Sequence, residues 1–171
     1  DLVNDQMYWV EPGASPPRLF RASLDGTDKQ TVVETTNGAA GVALDVASGK
    51  VYWTESVAPG VSGKIRRANL DGTGVEDLVT LDVMHPAAIT LDLDQGKIYW
   101  TDLRGDFDGL GEIVRSDLDG ANVESILSGI DEANGLSLDP IGDRIFWTDL
   151  ATHRIQSAAL DGTDVVDVVT G

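Results

Sequence analysis

Between Leu103 and Glu112 the chain gathers Asp106, Asp108 and Glu112 around Gly105, Gly109 and Gly111. Carboxylates are hard oxygen ligands, and a glycine-rich turn lets several converge, so calcium is the ion this loop suits. The full set of ligand positions of a helix-flanked calcium loop is absent, and a plain solvated acidic loop is the competing reading. Phe107 sits in the same loop beside Arg104, and an aromatic among charges can anchor a protein partner. The Arg104-Gly105-Asp106 tripeptide also has the form of an adhesion sequence, but three residues recur too often by chance to weigh much. Catalysis has less to work with. His85 and His153 are the only histidines, and neither Gly-x-Ser-x-Gly nor His-Glu-x-x-His occurs. Asn37 and Asn134 each precede a glycine. They serve as turn formers or, aimed at a central axis, as ligands of a metal-dependent hydrolase.

The elements that must carry these residues are read from a repeat. Of ten aromatic residues, eight lie in Tyr8-Trp9, Tyr52-Trp53, Tyr99-Trp100 and Phe146-Trp147, with the Trp residues 44, 47 and 47 positions apart. A Leu-Asp-Gly marker follows each dipeptide, at Asp25, Asp71, Asp119 and Asp161. Asp45, Asp92 and Asp139 precede the last three Trp residues by eight positions, and Asp1 stands in the same relation to Trp9. A period in the forties means a solenoid, a helical array or a propeller. One unit reads 87–91, 97–101, 112–116 and 123–127: four runs of about five residues, β-branched and aromatic, split by Gly and Asp turns. No window holds a helical stripe. Four short strands per unit make one blade of an all-β propeller, with blades near 1–34, 35–80, 81–128 and 129–171.

Tyr99-Trp100-Thr101-Asp102, Phe146-Trp147-Thr148-Asp149 and Tyr52-Trp53-Thr54-Glu55 resemble the YWTD repeat of low-density lipoprotein receptor class B modules. The segment Ile65-Arg66-Arg67-Ala68-Asn69-Leu70-Asp71-Gly72-Thr73 resembles it too. The first unit departs: Tyr8-Trp9-Val10-Glu11 lacks the Thr and ends in Glu. The resemblance implies a six-bladed propeller that binds other proteins. Animal receptors of this kind flank the propeller with Cys-rich modules. The complete absence of Cys and the acidity here point instead to a bacterial secreted or surface protein, extracellular in either case. By analogy with such receptors, a surface His such as His153 is a candidate for an acid-dependent contact. Six-bladed lactonases supply the main rival reading.

Composition limits the partners. Apolar residues make up 42% and charged residues 24% of the 171, as in a globular domain. Twelve Lys and Arg stand against 29 Asp and Glu, a net charge of -17. Such a surface repels phosphate backbones, so nucleic acid and anionic membrane are not expected partners. No apolar run is long enough for membrane insertion, and no leader segment is expected. With zero Cys, disulfides, thiolate metal sites and Cys nucleophiles are excluded.

The recurrent residues read as structure. Trp9, Trp53, Trp100 and Trp147 are expected to wedge between blades. Asp102 and Asp149 are expected to accept turn or neighbouring-blade hydrogen bonds. The Asp-Gly pairs read as tight hairpin turns in which Asp tolerates positive φ. The variable residues carry function. With strands A to D counted from the hub, the distance from Trp to the Asp of Leu-Asp-Gly is 16, 18, 19 and 14 residues. The B–C loops therefore vary, at 11–18, 56–63, 103–112 and 150–154. The D–A connections (35–40, 81–86, 129–134) differ in composition. These loops share one end of the ring, and binding residues gather on variable loops held by rigid scaffolds. The expected binding residues are Glu55, Arg104, Asp106, Phe107, Asp108, Glu112 and His153, with Asp106, Asp108 and Glu112 for calcium. No cofactor is required. The expected function is a non-catalytic scaffold binding a protein or, as second choice, a glycan; a structural repeat of a surface fibre is the third reading. Because Asp1 aligns with the ends of A strands, the first blade is expected to lack its innermost strand. Four blades at a six-fold angle leave an open arc, so further blades from the same longer polypeptide or from other chains are expected.

Overall fold

The computed structural model describes residues 1–11, 13, 15–35, 38–56, 62–103 and 110–171, with only the backbone at 110 and 131. All regular structure among these residues is β. Fifteen strands form four antiparallel meanders in chain order. The first sheet has three strands, β1 (Gln6–Glu11), β2 (Arg18–Ser23) and β3 (Gln30–Glu34). The second has β4 (Gly38–Asp45), β5 (Lys50–Ser56), β6 (Lys64–Asn69) and β7 (Glu76–Val79). The third has β8 (Pro86–Asp92), β9 (Lys97–Asp102), β10 (Leu110–Asp117) and β11 (Glu124–Asp131). The fourth has β12 (Ala133–Asp139), β13 (Arg144–Asp149), β14 (Arg154–Ala159) and β15 (Val166–Thr170). Each aromatic dipeptide lies on the second strand of its blade, or on β1 in the sheet without an inner strand. β1 touches β4, β4 touches β8 and β8 touches β12, so the inner strands follow one another blade by blade.

The dipeptide has a direct physical reason. Neighbouring residues of a strand point to opposite faces, and a blade between two others must be apolar on both. Tyr8 therefore packs into one layer with Trp53, Leu19, Val33 and Val51. Tyr52 shares the next with Trp100, Ile65, Ile89 and Ile98. Tyr99 shares the third with Trp147, Ile113, Ile145 and Leu160. Tyr leads and Trp trails at every seam. Trp53, Trp100 and Trp147 are buried, whereas Trp9 and Phe146, on the outer faces of the end blades, are half-buried.

The Thr of the repeat serves the inner strand. β4, β8 and β12 each bulge against their partner, between Ala39 and Val42, Pro86 and Ile89, and Ala133 and Leu136. A bulge leaves an amide out of the ladder. Thr54 Oγ1 accepts from Gly41 N at 2.8 Å, Thr101 Oγ1 from Ala88 N at 3.0 Å and Thr148 Oγ1 from Gly135 N at 2.9 Å. Thr54 also donates across the seam to the Ala87 carbonyl at 2.7 Å. The first sheet has no inner strand here, and Val10 takes the position.

The Leu-Asp-Gly turns are wider than tight hairpins. Positive φ falls on Gly26, Gly72, Gly120 and Gly162, and again two residues later on Asp28, Gly74, Asn122 and Asp164, not on the Asp before the glycine. That Asp works through its side chain: Asp71 Oδ1 accepts from Thr73 N at 2.9 Å and Thr73 Oγ1 at 2.6 Å, with matching bonds at Asp25 and Asp161. The glycine also makes a close approach. A Cβ on Gly72 would lie 1.9 Å from the Val32 carbonyl oxygen, and one on Gly162 1.8 Å from that of Ile126. The turns of the second, third and fourth blades thus rest on the outer strand of the blade before them. Arg21, Arg67 and Arg115 complete the seams by donating to the carbonyls of Leu70, Leu118 and Leu160 at 3.3, 3.0 and 3.1 Å.

One boundary differs from expectation. β11 runs to Asp131 and β12 starts at Ala133, so the third D–A connection is the single residue Glu132, at φ 45. The segment 129–134 is strand on both sides rather than a loop, because Gly129 at φ 80 lets the outer strand continue.

Candidate recognition face

The two ends of the blades are built differently. At the turn end, Leu24, Leu70, Leu118 and Leu160 donate to the carbonyls of Asp5, Gly49, Gly96 and Asp143 at 3.0, 3.0, 3.1 and 3.2 Å. The A–B turns repeat as well: Asp45 Oδ1 accepts from Ser48 N and Asp92 Oδ1 from Gln95 N, while Asp1 Oδ1 accepts from Asn4 N. At the loop end the loops differ in length, and among the described residues one backbone contact recurs, Leu150 N donating to the Glu132 carbonyl at 3.4 Å as Leu103 N does to that of His85. Gly63 N donates to the Val83 carbonyl at 2.8 Å, Leu103 N to that of His85 at 3.0 Å, and Ser56 Oγ lies 3.4 Å from His85 Nδ1.

The expected site residues fall into three groups. Arg104, Asp106, Phe107 and Asp108 lie outside the described residues. His153 is exposed at φ 56 in the turn between β13 and β14, next to the exposed Leu150. Glu55 and Glu112 are not surface groups, which corrects the expectation for both. Glu55 is 0% exposed on β5, and Glu112 is buried on β10 opposite Asp102. Glu55 lies inside β5, before the loop drawn from 56, and β10 begins at Leu110, within the loop drawn as 103–112, so both side chains enter the packed sheet. Asp102 accepts from Met84 N at 2.9 Å and His85 N at 2.8 Å, tying down the connection into its own blade. Asp149 accepts from Thr152 N at 2.8 Å in the turn that follows it. Asn134, on the inner strand β12, is exposed, and Asn37 lies outside the described residues.

Sequence reasoning missed a charged cluster at the loop end of the second blade. Glu55 Oε1 accepts from Trp53 Nε1 and from Arg66 Nη1, both at 2.9 Å. Arg66 Nε and Lys64 Nζ both donate to Asp77, at 2.6 Å each. The Arg66 guanidinium also lies 5.6 Å from the Trp53 ring centroid. The Lys64 bond, then the Arg66 charge, hold the Asp77 carboxyl below its ordinary value against the effect of burial. Burial works to lower the Arg66 value and is outweighed by Glu55 and Asp77, so the guanidinium is held charged. The signal was present as alternation: Lys64 and Arg66 share one face of β6, and Asp77 pairs with Arg66 across β7. The first blade carries a relative of this cluster, in which Glu11 accepts from Trp9 Nε1 at 3.0 Å and Lys29 at 2.8 Å. Among the described residues no three His, Cys, Asp or Glu converge as a metal site.

A meandering four-stranded blade with Tyr-Trp on its second strand, repeated blade after blade, defines a β-propeller. Residues 49–93 and 143–171 match the low-density lipoprotein receptor repeat class B, so the chain carries YWTD repeats of that class. It is 30% identical to low-density lipoprotein receptor-related protein 1 of Pyricularia oryzae, over 84% of this chain and 53% of that protein. It is 26% identical to protein cueball of Drosophila grimshawi, over 100% of this chain and 21% of that protein. A chain of the crystallised nidogen/laminin complex superposes with a TM-score of 0.85 at 28% identity, covering 97% of this chain and 61% of that one. The chain therefore spans about half or less of the length of the fungal and insect relatives. A gluconolactonase from Xanthomonas campestris shares the fold alone, at a TM-score of 0.64 and 14% identity. The fungal and insect relatives lend no support to a bacterial origin. Among the described residues no helix is long and apolar enough to cross a membrane.

Proposed function

We propose that this chain is a non-catalytic scaffold that binds another protein, with a glycan as second choice, across the end where the B–C and D–A loops emerge. One observation carries the reading: the turn end has the same backbone hydrogen bonds in all four blades, while the loops at the other end differ in length from blade to blade. A rigid ring with one variable rim is how a fold holds recognition residues still while leaving them free to differ. The structural relative crystallised in a nidogen/laminin complex belongs to an assembly of two proteins, which supports a protein ligand in an extracellular setting. The outer faces of the end blades, with Trp9 and Phe146 half-buried and Ile155 exposed, suit cover by further blades of the same polypeptide or of other chains.

The test is a substitution scan against an extracellular protein that the chain binds. Arg104→Ala, Phe107→Ala and His153→Ala weaken binding and leave the melting temperature unchanged. Asp71→Ala lowers the melting temperature and leaves affinity per folded molecule unchanged. Contacts that map mainly to the Leu-Asp-Gly turns overturn the assignment. Calcium held by Asp106 and Asp108, with Glu112 nearby, is a subsidiary proposal; absence of heat on titration with millimolar calcium removes it. The hydrolase reading predicts divalent-ion-dependent cleavage of a lactone, and a rate no different from buffer removes that.

A further inference from the structure

The three seams share one plan at the turn end, and the first departs from it. At the second seam Lys50 Nζ donates to Asn69 Oδ1 at 2.7 Å, and Lys50 and Arg67 both act on the Glu76 carboxylate. At the third, Lys97 pairs with Asp117, which stands two positions after Arg115 on β10. By repeat position, Gln6 stands where those lysines stand and Ser23 where their partners stand. Both side chains are shorter, and a pocket of about 440 Å³ opens between the first two blades, lined by Gln6, Tyr8, Arg21, Ser23, Asp28 and Leu70 among others. A volume of this size is within the range of small-molecule sites.

The charges change with the shape. Arg67 and Arg115 bind Glu76 and Glu124, but Arg21 binds the neutral Gln30 at 3.0 Å. Asp28 adds a carboxylate where the other seams carry Gly74 and Asn122, and it bonds to no described residue. The first seam has thus lost the lysine ammonium and gained a carboxylate with no partner among the described residues; Asp1 also lines the pocket, its main-chain amine donating to the Gln6 carbonyl at 3.0 Å and its carboxylate accepting from Asn4. Arg21 is held away by the Leu70 carbonyl on Nη1 and Gln30 Oε1 on Nη2, and the Asp28 carboxylate is the group that offsets its charge for an incoming cation.

We propose that this pocket binds a primary ammonium group on an alkyl chain, standing where Lys50 and Lys97 place theirs. Asp28, the Ser23 hydroxyl and the Gln6 side-chain carbonyl supply acceptors, and the Tyr8 ring supplies a wall for the methylenes. The overall charge of -17 concentrates cations near the surface. The chemistry suits a free polyamine or a lysine side chain of a partner, and two probes separate these sources. The site lies at the opposite end from the loop face, so it stands independently of the proposed function.

Titration calorimetry with 1,5-diaminopentane and with Nα-acetyl-lysine N-methylamide gives saturable one-site binding that weakens in high salt. Asp28→Asn weakens it about tenfold or more, as for loss of a charge-assisted bond. This variant keeps the fold, because Asn122 already holds φ 53 at the same turn position, where Asp28 has φ 56. The double variant Gln6→Lys with Ser23→Asp rebuilds the third seam's plug and abolishes binding. Tighter binding of the diamine identifies a polyamine site; tighter binding of the lysine derivative identifies a side-chain site. No saturable binding of either, equal binding of neutral pentan-1-ol, or affinity unchanged in Asp28→Asn overturns the proposal.

Discussion

The indole nitrogen of Trp53 donates to the Glu55 carboxylate at 2.9 Å, on the same oxygen that accepts from Arg66. In the third blade the equivalent carboxylate, Asp102, is one methylene shorter and turns to the amides of Met84 and His85 instead. The buried Trp100 Nε1 then has no partner among the described residues, and the same holds for Trp147 Nε1. Side-chain length at the fourth repeat position thus selects which buried donor is satisfied. Glu55→Ala takes the shared acceptor from the indole and from Arg66 Nη1, while Arg66 keeps Asp77, and is expected to cost about 2 kcal/mol, as for a buried donor left unsatisfied. Chemical denaturation of the variant checks this; a loss below about 1 kcal/mol would mean that the pair is solvated.

The wedge role of the Trp residues gives an internal comparison. Trp100→Ala removes a side chain only 1% exposed and is expected to cost roughly 3–5 kcal/mol. Trp9→Ala, from a half-buried face, is expected to cost clearly less. Equal losses in urea melts would contradict the trailing-face position of Trp at each seam.

Alanine at the turn glycines separates backbone conformation from contact. Gly26 and Gly72 have nearly the same φ, 84 and 87, but a Cβ on Gly26 meets nothing within 4 Å. Gly26→Ala is expected to cost about 1–2 kcal/mol for left-handed backbone alone. Gly72→Ala adds a clash with the Val32 carbonyl and is expected to cost more. Matching melting temperatures for the two variants would show that the seam is loose at the turn.

Thr54 is expected to matter through its hydroxyl rather than its shape. Thr54→Val leaves Gly41 N and the Ala87 carbonyl unpaired, at about 1–3 kcal/mol for a buried group left unsatisfied. Hydrogen exchange at Gly41 should rise in the variant, and unchanged protection there would refute the bulge assignment.

Stability on the acid side should depend on the turn aspartates. Hydrogen bonds from Thr27, Thr73 and Thr163 hold Asp25, Asp71 and Asp161 below the ordinary carboxylate value. A carboxyl whose value is depressed on folding contributes stability above its unfolded value of 3.8 and loses it as pH falls through the lower folded value. NMR titration should place these three midpoints below 3.8, and Thr73→Val should raise that of Asp71 alone. An unmoved Asp71 midpoint would mean that the hydroxyl does not hold it.

Much of this architecture was legible in the residues because a repeat reports the same local problem several times. Tyr-Trp recurs because a blade is covered on both faces, and Leu-Asp-Gly recurs because each turn needs positive φ and a side-chain acceptor. Strand order and the rank of each strand within its blade followed from those markers alone. Where a residue's surroundings come from another blade, sequence was silent. Glu55 reads as a loop-edge acid, and only packing shows it enclosed with Trp53 and Arg66. Gly72 reads as a turn former, and only the Val32 carbonyl explains why no other residue fits. The pocket beside Asp28 is invisible in one unit, since it arises from two short side chains facing the next blade. Local conformation is set by neighbours in the chain, which sequence displays. Burial, seam contacts and cavities are set by residues about one blade away, and only the fold brings them together.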